Sequence, residues 1–131
     1  MQTIEEAIHT FIYKQNRETT IDVFEAVRHA MNQKKPFFVP VQFLDENKEE
    51  FSFGMMKDGK GQKFIVAFSN EKDFEKMEAP EKMKVDIEVF LSRILNMDDI
   101  SGVVINPVGE TFVLGKPYIS MIFEANAKEK A

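Results

Sequence analysis

Two histidines and a few hydroxyls are the main groups through which this sequence might do chemistry. Glu6-x-x-His9 has the spacing with which di-iron helix bundles bring a carboxylate and an imidazole to one helix face, and Glu25 with His29 offers the i,i+4 alternative. Such a site also needs two inward glutamates from facing helices, and a chain this rich in strand pattern leaves no room for them. Both histidines therefore read as surface groups beside helical carboxylates. Ser69-x-x-Lys72 formally matches the serine–lysine acyl-enzyme motif, but its companions Ser-Asp-Asn and Lys-Thr-Gly are absent. A serine or asparagine at that point caps a helix. Gly59-x-Gly61 lies between two strands rather than ahead of a helix, so it is a hairpin turn and not a phosphate loop. Asp98-Asp99 with Asp86 and Glu88 lacks the ligand spacing and central glycine of a calcium loop. We expect no catalytic residue, no metal site and no cofactor.

The elements that frame these groups centre on Ile100–Leu114. An apolar run ends in Asn106-Pro107, turns through Gly109 and resumes as a second strand-like run. Pro107 fixes φ, and Gly109 has access to φ > 0. Upstream, Thr3-x-x-Glu6 reads as a capping box that opens a helix over about residues 3–15. Thr19 or Thr20 caps a second helix, reaching about Gln33, and the short joint makes the two an αα-hairpin. Phe37–Phe43 is strand, with Pro40 marking it as an edge or bulge. Phe51–Met55 and Lys63–Phe68 follow as strands of a meander, the first after a charged turn at Asp45–Glu50 and the second after the Asp58–Gly61 turn. Ser69 or Asn70 caps a short helix that ends before Pro80. Glu78–Lys84 reads as a solvated loop, and Asp86 opens a helix through about Met97. Strands near 102–106 and 110–114 lead to a last helix started by Pro117. The order is α-α-β-β-β-α-α-β-β-α. That predicts an α+β fold: a mixed, mostly antiparallel sheet of about five strands with flanking helices. Residues 1–125 form a single domain, and 126–131 a polar tail.

Composition narrows the classes. The 131 residues suffice for one core, and 44% apolar with 30% charged residues excludes a disordered chain. A net charge of −5 gains nothing from counterion release on nucleic acid and is repelled by anionic membranes. The chain has no cysteine, hence no disulfide, thiolate zinc site or thiol nucleophile. The acidic start Met1-Gln-Thr-Ile-Glu-Glu runs straight into a helical pattern, unlike a secretory signal, and no apolar run approaches a membrane span. The expected location is cytoplasmic, with neither nucleic acid nor membrane as partner.

Thirteen phenylalanines against two tyrosines and no tryptophan call for an explanation. Phe37, Phe38, Phe43, Phe51, Phe53, Phe64 and Phe68 crowd the meander. Alternate strand residues face opposite sides, so Phe37 and Phe38 place a ring on each. Either helices cover both faces, or one face displays its rings as an interface.

Three blocks of the chain, in order, resemble the N-terminal domain of the SseB family, named for enhanced serine sensitivity. They are Pro36-Phe-Phe-Val-Pro40, Ile65-Val-Ala-Phe68-Ser69-Asn-Glu-Lys-Asp-Phe74 and Gly102-Val-Val-Ile-Asn106-Pro107. With the helix that leads into the first block and the strand and helix that follow the last, they span most of residues 20–123. Ser69 stands where threonine is commoner, and Met77 where a tryptophan is often seen. The resemblance implies a bacterial setting and supplies no catalytic residues.

Two functions are consistent with this reading. The first is a non-enzymatic cytoplasmic interaction or accessory domain. It presents a Phe-rich sheet (Phe37, Phe38, Phe53, Phe68) and the Asn106-Pro107-x-Gly109 turn to a protein partner or to a second copy. The second is a small-molecule binder or enzyme with a Phe-lined pocket at strand ends, where Ser69, Asn106 and Tyr118 supply the polar groups.

Overall fold

Reciprocal caps set where the first two helices begin. In α1 (Ile4–Tyr13) the Thr3 hydroxyl accepts from the Glu6 N–H at 3.1 Å, and the Glu6 carboxylate accepts from the Thr3 N–H at 3.0 Å. The Thr3 backbone N–H, and after it the Thr3 hydroxyl, hold the Glu6 carboxyl below the usual carboxylate range. α2 (Arg17–Asn32) starts ahead of the expected cap at Thr19 or Thr20. Asn16 is the cap: its Oδ1 accepts from the Thr19 N–H at 2.9 Å, and Thr19 Oγ1 accepts from the Asn16 N–H at 3.1 Å. Thr19 thus takes the part that glutamate has in the usual box. Its hydroxyl also reaches the Lys14 carbonyl at 2.7 Å, which closes the αα-hairpin.

The computed structural model describes residues 2–44, 46–47, 51–77 and 81–130. After the hairpin come β1 (Pro36–Phe43), β2 (Phe51–Phe53), β3 (Met55–Lys57), β4 (Lys63–Ala67) and α3 (Glu71–Phe74). The chain continues through β5 (Glu81–Asp86), α4 (Ile87–Leu95), β6 (Gly102–Ile105), β7 (Phe112–Gly115) and α5 (Lys116–Lys130). The fold is α+β, but its strands divide into two sheets where one was expected. The first is antiparallel, in the order β2-β1-β5; the second runs β3-β4-β6-β7, and β4 and β6 lie parallel within it. Phe38 and Phe68 exchange backbone bonds at 2.8 Å and join the two sheets.

Pro40 explains the division. Contrary to the edge reading, it sits in the central strand of the first sheet. Its carbonyl accepts from the Gly54 N–H at 2.9 Å, but proline has no N–H to return to the Gly54 carbonyl. That carbonyl accepts from the Val66 N–H instead, at 2.9 Å. The strand over 51–57 therefore leaves one sheet and enters the other at Gly54, whose hydrogen atom faces the Pro40 ring; a Cβ there would lie 2.9 Å from Pro40 Cγ.

A second correction concerns residues 81–84, expected as part of a solvated loop. They belong to β5, which pairs with β1 from Pro36↔Asp86 to Val41↔Glu81. Lys82 and Lys84 face out while Met83 and Val85 pack on the core. Residues 78–80, and 45 and 48–50 of the expected charged turn, lie outside the described residues. The helix caps at Asn70 and Asp86 are as expected. α5 continues through 126–130, where a polar tail was expected; buried Asn126 accepts from Asn32 Nδ2 of α2 at 3.0 Å.

The main core lies between α1, α2, α4 and α5 and the inner sheet faces, with Ile65, Ala67, Val103, Ile105, Phe112 and Leu114 contributed by the second sheet. On that sheet's outer face, Val66, Phe68 and Phe74 form a smaller cluster with Phe38 and Met77, beneath α3. Among the described residues, no helix is long and apolar enough to cross a membrane.

Candidate functional site

The parallel pair β4–β6 brings two strand ends side by side, and their exits carry Ser69 and Asn106. Asn106 is 3% exposed and left-handed, with φ 55°. Asparagine is among the few residues that tolerate that region. Its Oδ1 accepts from the Ser69 N–H at 2.9 Å, and its Nδ2 donates to Ser69 Oγ at 2.9 Å. Its own N–H bonds the Ala67 carbonyl at 2.8 Å, while its carbonyl accepts from Thr111 Oγ1 at 2.7 Å. Of the three polar groups expected to line a pocket, Ser69 and Asn106 lie side by side, bonded to each other.

This arrangement is a clasp rather than a reactive centre. A nucleophilic serine needs a base within hydrogen-bond reach. The hydroxyl of Ser69 is instead approached by the amide of Asn106 and, at 3.4 Å, by that of Asn70. Lys72 is exposed, and no hydrogen bond links it to Ser69 among the described residues. Past the clasp, Pro107 is half-buried and Gly109 is exposed with φ 97°. His9 Nδ1 lies 2.8 Å from the Glu110 carboxylate and ties α1 to this turn. Glu6 and His9 therefore point to separate partners, Thr3 and Glu110. Glu25 pairs with Arg28 and not with His29. Among the described residues, no three acidic or histidine side chains gather to hold a metal ion.

Two clefts of about 200 Å³ each open beside the clasp, under α1, and share Glu5. One is lined by Gln2, Glu5, His29, Gln33, Lys35 and Ser69, with Ala26, Ala30, Pro36 and Ile87 among its walls. The other includes Asp73, Lys76, Asn106, Gly109 and Glu110. No phenylalanine lines either cleft. Tyr118 lies elsewhere, on α5, its ring 5.0 Å from that of Phe24.

The phenylalanines read as a display surface are mostly interior. Phe37 and Phe68 are wholly buried. Phe37 meets Phe90 edge-on at 5.9 Å, and Phe53 meets the same ring at 5.7 Å. Arg93 stands 5.2 Å from the Phe53 ring, and Lys82 5.7 Å from that of Phe38. Helices and the second cluster cover these rings because Phe37 and Phe38 point to opposite sides and each side has its own cover.

An uncovered apolar surface lies on the other half of the second sheet's outer face. Met56 is 44% and Val113 48% exposed, with Phe64 and Val104 between them along a trough of about 280 Å³. No local pattern of residues marks this patch. In Val103-Val104-Ile105 and Phe112-Val113-Leu114 both faces are apolar, so alternation does not separate an open face from a covered one.

No curated protein and no solved structure matches the chain. A family model does: SseB protein N-terminal domain, over residues 4–121. The match begins at the first residue of α1, ends within α5, and takes in both sheets, the Ser69–Asn106 clasp and the open trough. The chain belongs to the SseB N-terminal domain family.

Proposed function

We propose that this is a non-enzymatic interaction domain of the cytoplasm, whose partner surface is the outer face of the second sheet around Met56, Phe64, Val104 and Val113. The observation that carries the reading is the half-finished cover on that face. α3 and its cluster bury Val66, while Met56 and Val113 on the same face stand open. Contiguous exposed apolar surface rimmed by polar groups marks interaction sites; here Lys57, Asp58 and Thr111 supply the rim. The partner is a protein, since a net charge of −5 disfavours nucleic acid and anionic lipid. The test is affinity capture on the immobilised chain, compared with Met56→Glu and with Tyr13→Glu, a change at a residue 77% exposed on α1. A partner lost with the first variant and kept with the second supports the proposal. Identical capture by all three forms refutes it.

The clefts under α1 favour a second reading, small-molecule binding. Gln2, Glu5, His29, Gln33 and Lys35 converge on one cleft, and none of these side chains has a hydrogen bond or ion pair among the described residues. Thermal stabilisation by one metabolite class, abolished in His29→Ala, would support it; no stabilisation by any class would dismiss it.

A further inference from the structure

Hydrogen-bond parity along β6 decides what the free edge of β7 offers. The Asn106 N–H bonds the Ala67 carbonyl of β4 at 2.8 Å. Alternate residues Val104 and Gly102 therefore also turn their backbone groups toward β4, and Val103 and Ile105 turn theirs toward β7. The register pairs Val103 with Leu114 and Ile105 with Phe112, so those two residues of β7 bond inward. The alternation breaks only at Ser101, where the strand begins: its N–H bonds the Lys63 carbonyl at 2.8 Å, while its carbonyl accepts from the Lys116 N–H at 3.0 Å and keeps the parity on the β7 side. Val113 is left with its N–H and C=O aimed off the sheet, unpartnered among the described residues, on a strand that no other strand flanks.

The neighbouring edges are guarded and this one is not. β5 carries Lys82 and Lys84 outward, and β3 is three residues long, bent at Gly54 and ended by Lys57. Charges, bends and short length are the usual defences against edge pairing. β7, Phe-Val-Leu-Gly, has no charge, proline or bend within it.

We propose that β7 joins two copies of this chain, the strands pairing antiparallel about a two-fold axis at Val113 so that two four-stranded sheets become one of eight. A second copy is the occupant because the segment complements itself. With Val113 on the axis, Phe112 of one copy meets Leu114 of the other, inner face to inner face, and Thr111 meets Gly115. The same register brings Glu110 of each copy, whose carboxylate also holds His9, to the end where the other has Lys116, whose ammonium also donates to the Met97 carbonyl; opposite charges thus lie at both ends of an isologous interface. The joint uses the edge rather than the outer face, so it goes beyond the partner proposed above and does not depend on it.

Because the chain has no cysteine, Val113→Cys carries a unique thiol. Across a hydrogen-bonded antiparallel pair the Cα atoms lie about 5.5 Å apart, within disulfide range. Oxidation should give a covalent dimer of Val113→Cys at least about tenfold faster than of Val89→Cys, a control site that is 66% exposed on α4. Sedimentation velocity from micromolar to submillimolar concentration should show a dimer for the unmodified chain and for Met56→Glu, and a monomer for Val113→Lys. Circular dichroism should confirm that all variants are folded. A monomer throughout, with the two cysteine variants oxidising alike, overturns the proposal. A dimer that survives Val113→Lys, or is lost in Met56→Glu, also overturns it, since the joint would then lie elsewhere. Loss of captured partner in Met56→Glu with the dimer intact separates this test from that of the outer face.

Discussion

Replacing Asn106 by alanine tests whether the strand-end pair is a clasp. The substitution leaves the half-buried Ser69 N–H without its 2.9 Å acceptor, at a cost of about 1–3 kcal/mol, and removes the Nδ2–Oγ bond, worth about 0.5–1.5 kcal/mol. It also asks alanine to hold φ 55°, which costs roughly 1 kcal/mol more than for asparagine. The total is about 2.5–5.5 kcal/mol. At ~2.1 cal/mol/K per residue, the unfolding entropy of this chain is about 0.28 kcal/mol/K, so the midpoint should fall by roughly 10–20 °C. Asn106→Gly restores the left-handed backbone and should recover about 1 kcal/mol of the loss. Ser69→Ala keeps its N–H on Oδ1 but leaves the buried Asn106 Nδ2 without its acceptor, so it should cost about 1–3 kcal/mol, less than Asn106→Ala. Urea titrations at constant m measure all three. The reasoning is refuted if Asn106→Ala lies within about 1 kcal/mol of the parent, or if the glycine variant is the less stable of the two.

Two further outcomes follow from the same geometry. In Gly102→Ala the new Cβ would sit 2.4 Å from the Leu114 carbonyl oxygen and 2.8 Å from Gly115 Cα, both backbone atoms, so the β6–β7 ladder must open. We expect a loss of about 1–3 kcal/mol by thermal unfolding, and an unchanged midpoint would contradict it. The Glu6 carboxyl is held below its unfolded value by Thr3. Its cap therefore contributes fully above the unfolded pKa and is lost as pH falls through the folded one. Thr3→Ala keeps the backbone N–H, the larger cause, and removes the hydroxyl, so the NMR titration of Glu6 should move only part of the way up toward the ordinary range. A Glu6 titration that does not move would exclude the Thr3 hydroxyl as a cause.

Legibility in the sequence followed locality. Caps act within one turn, so Thr3, Asn70 and Asp86 were readable, and the cap that was not, Asn16, differs only in using Thr19 where a glutamate is customary. Ser69 and Asn106 were both marked as polar groups at strand ends, yet their meeting depends on a parallel pairing across 37 positions that neither segment announces. The strand β5 had a local sign that its charge concealed: in Glu-Lys-Met-Lys-Val-Asp the lysines alternate with Met83 and Val85, which is the period of a strand with one wet face.

The two-sheet division shows most clearly why the rest was not legible. Pro40 alone argues for an edge, since a central strand needs donors on both sides. The structure keeps it central by placing Gly54 opposite the missing donor and giving the Gly54 carbonyl to Val66 on another strand. That solution requires three segments, at 40, 54 and 66, to meet at one point, and no window of neighbouring residues contains them. The same bend carries Met56 away from the first sheet and onto the open face of the second. The surface proposed to meet a partner thus owes its position to a proline 16 residues upstream, and its exposure to an outer cover that reaches Val66 and stops short of Met56 and Val113.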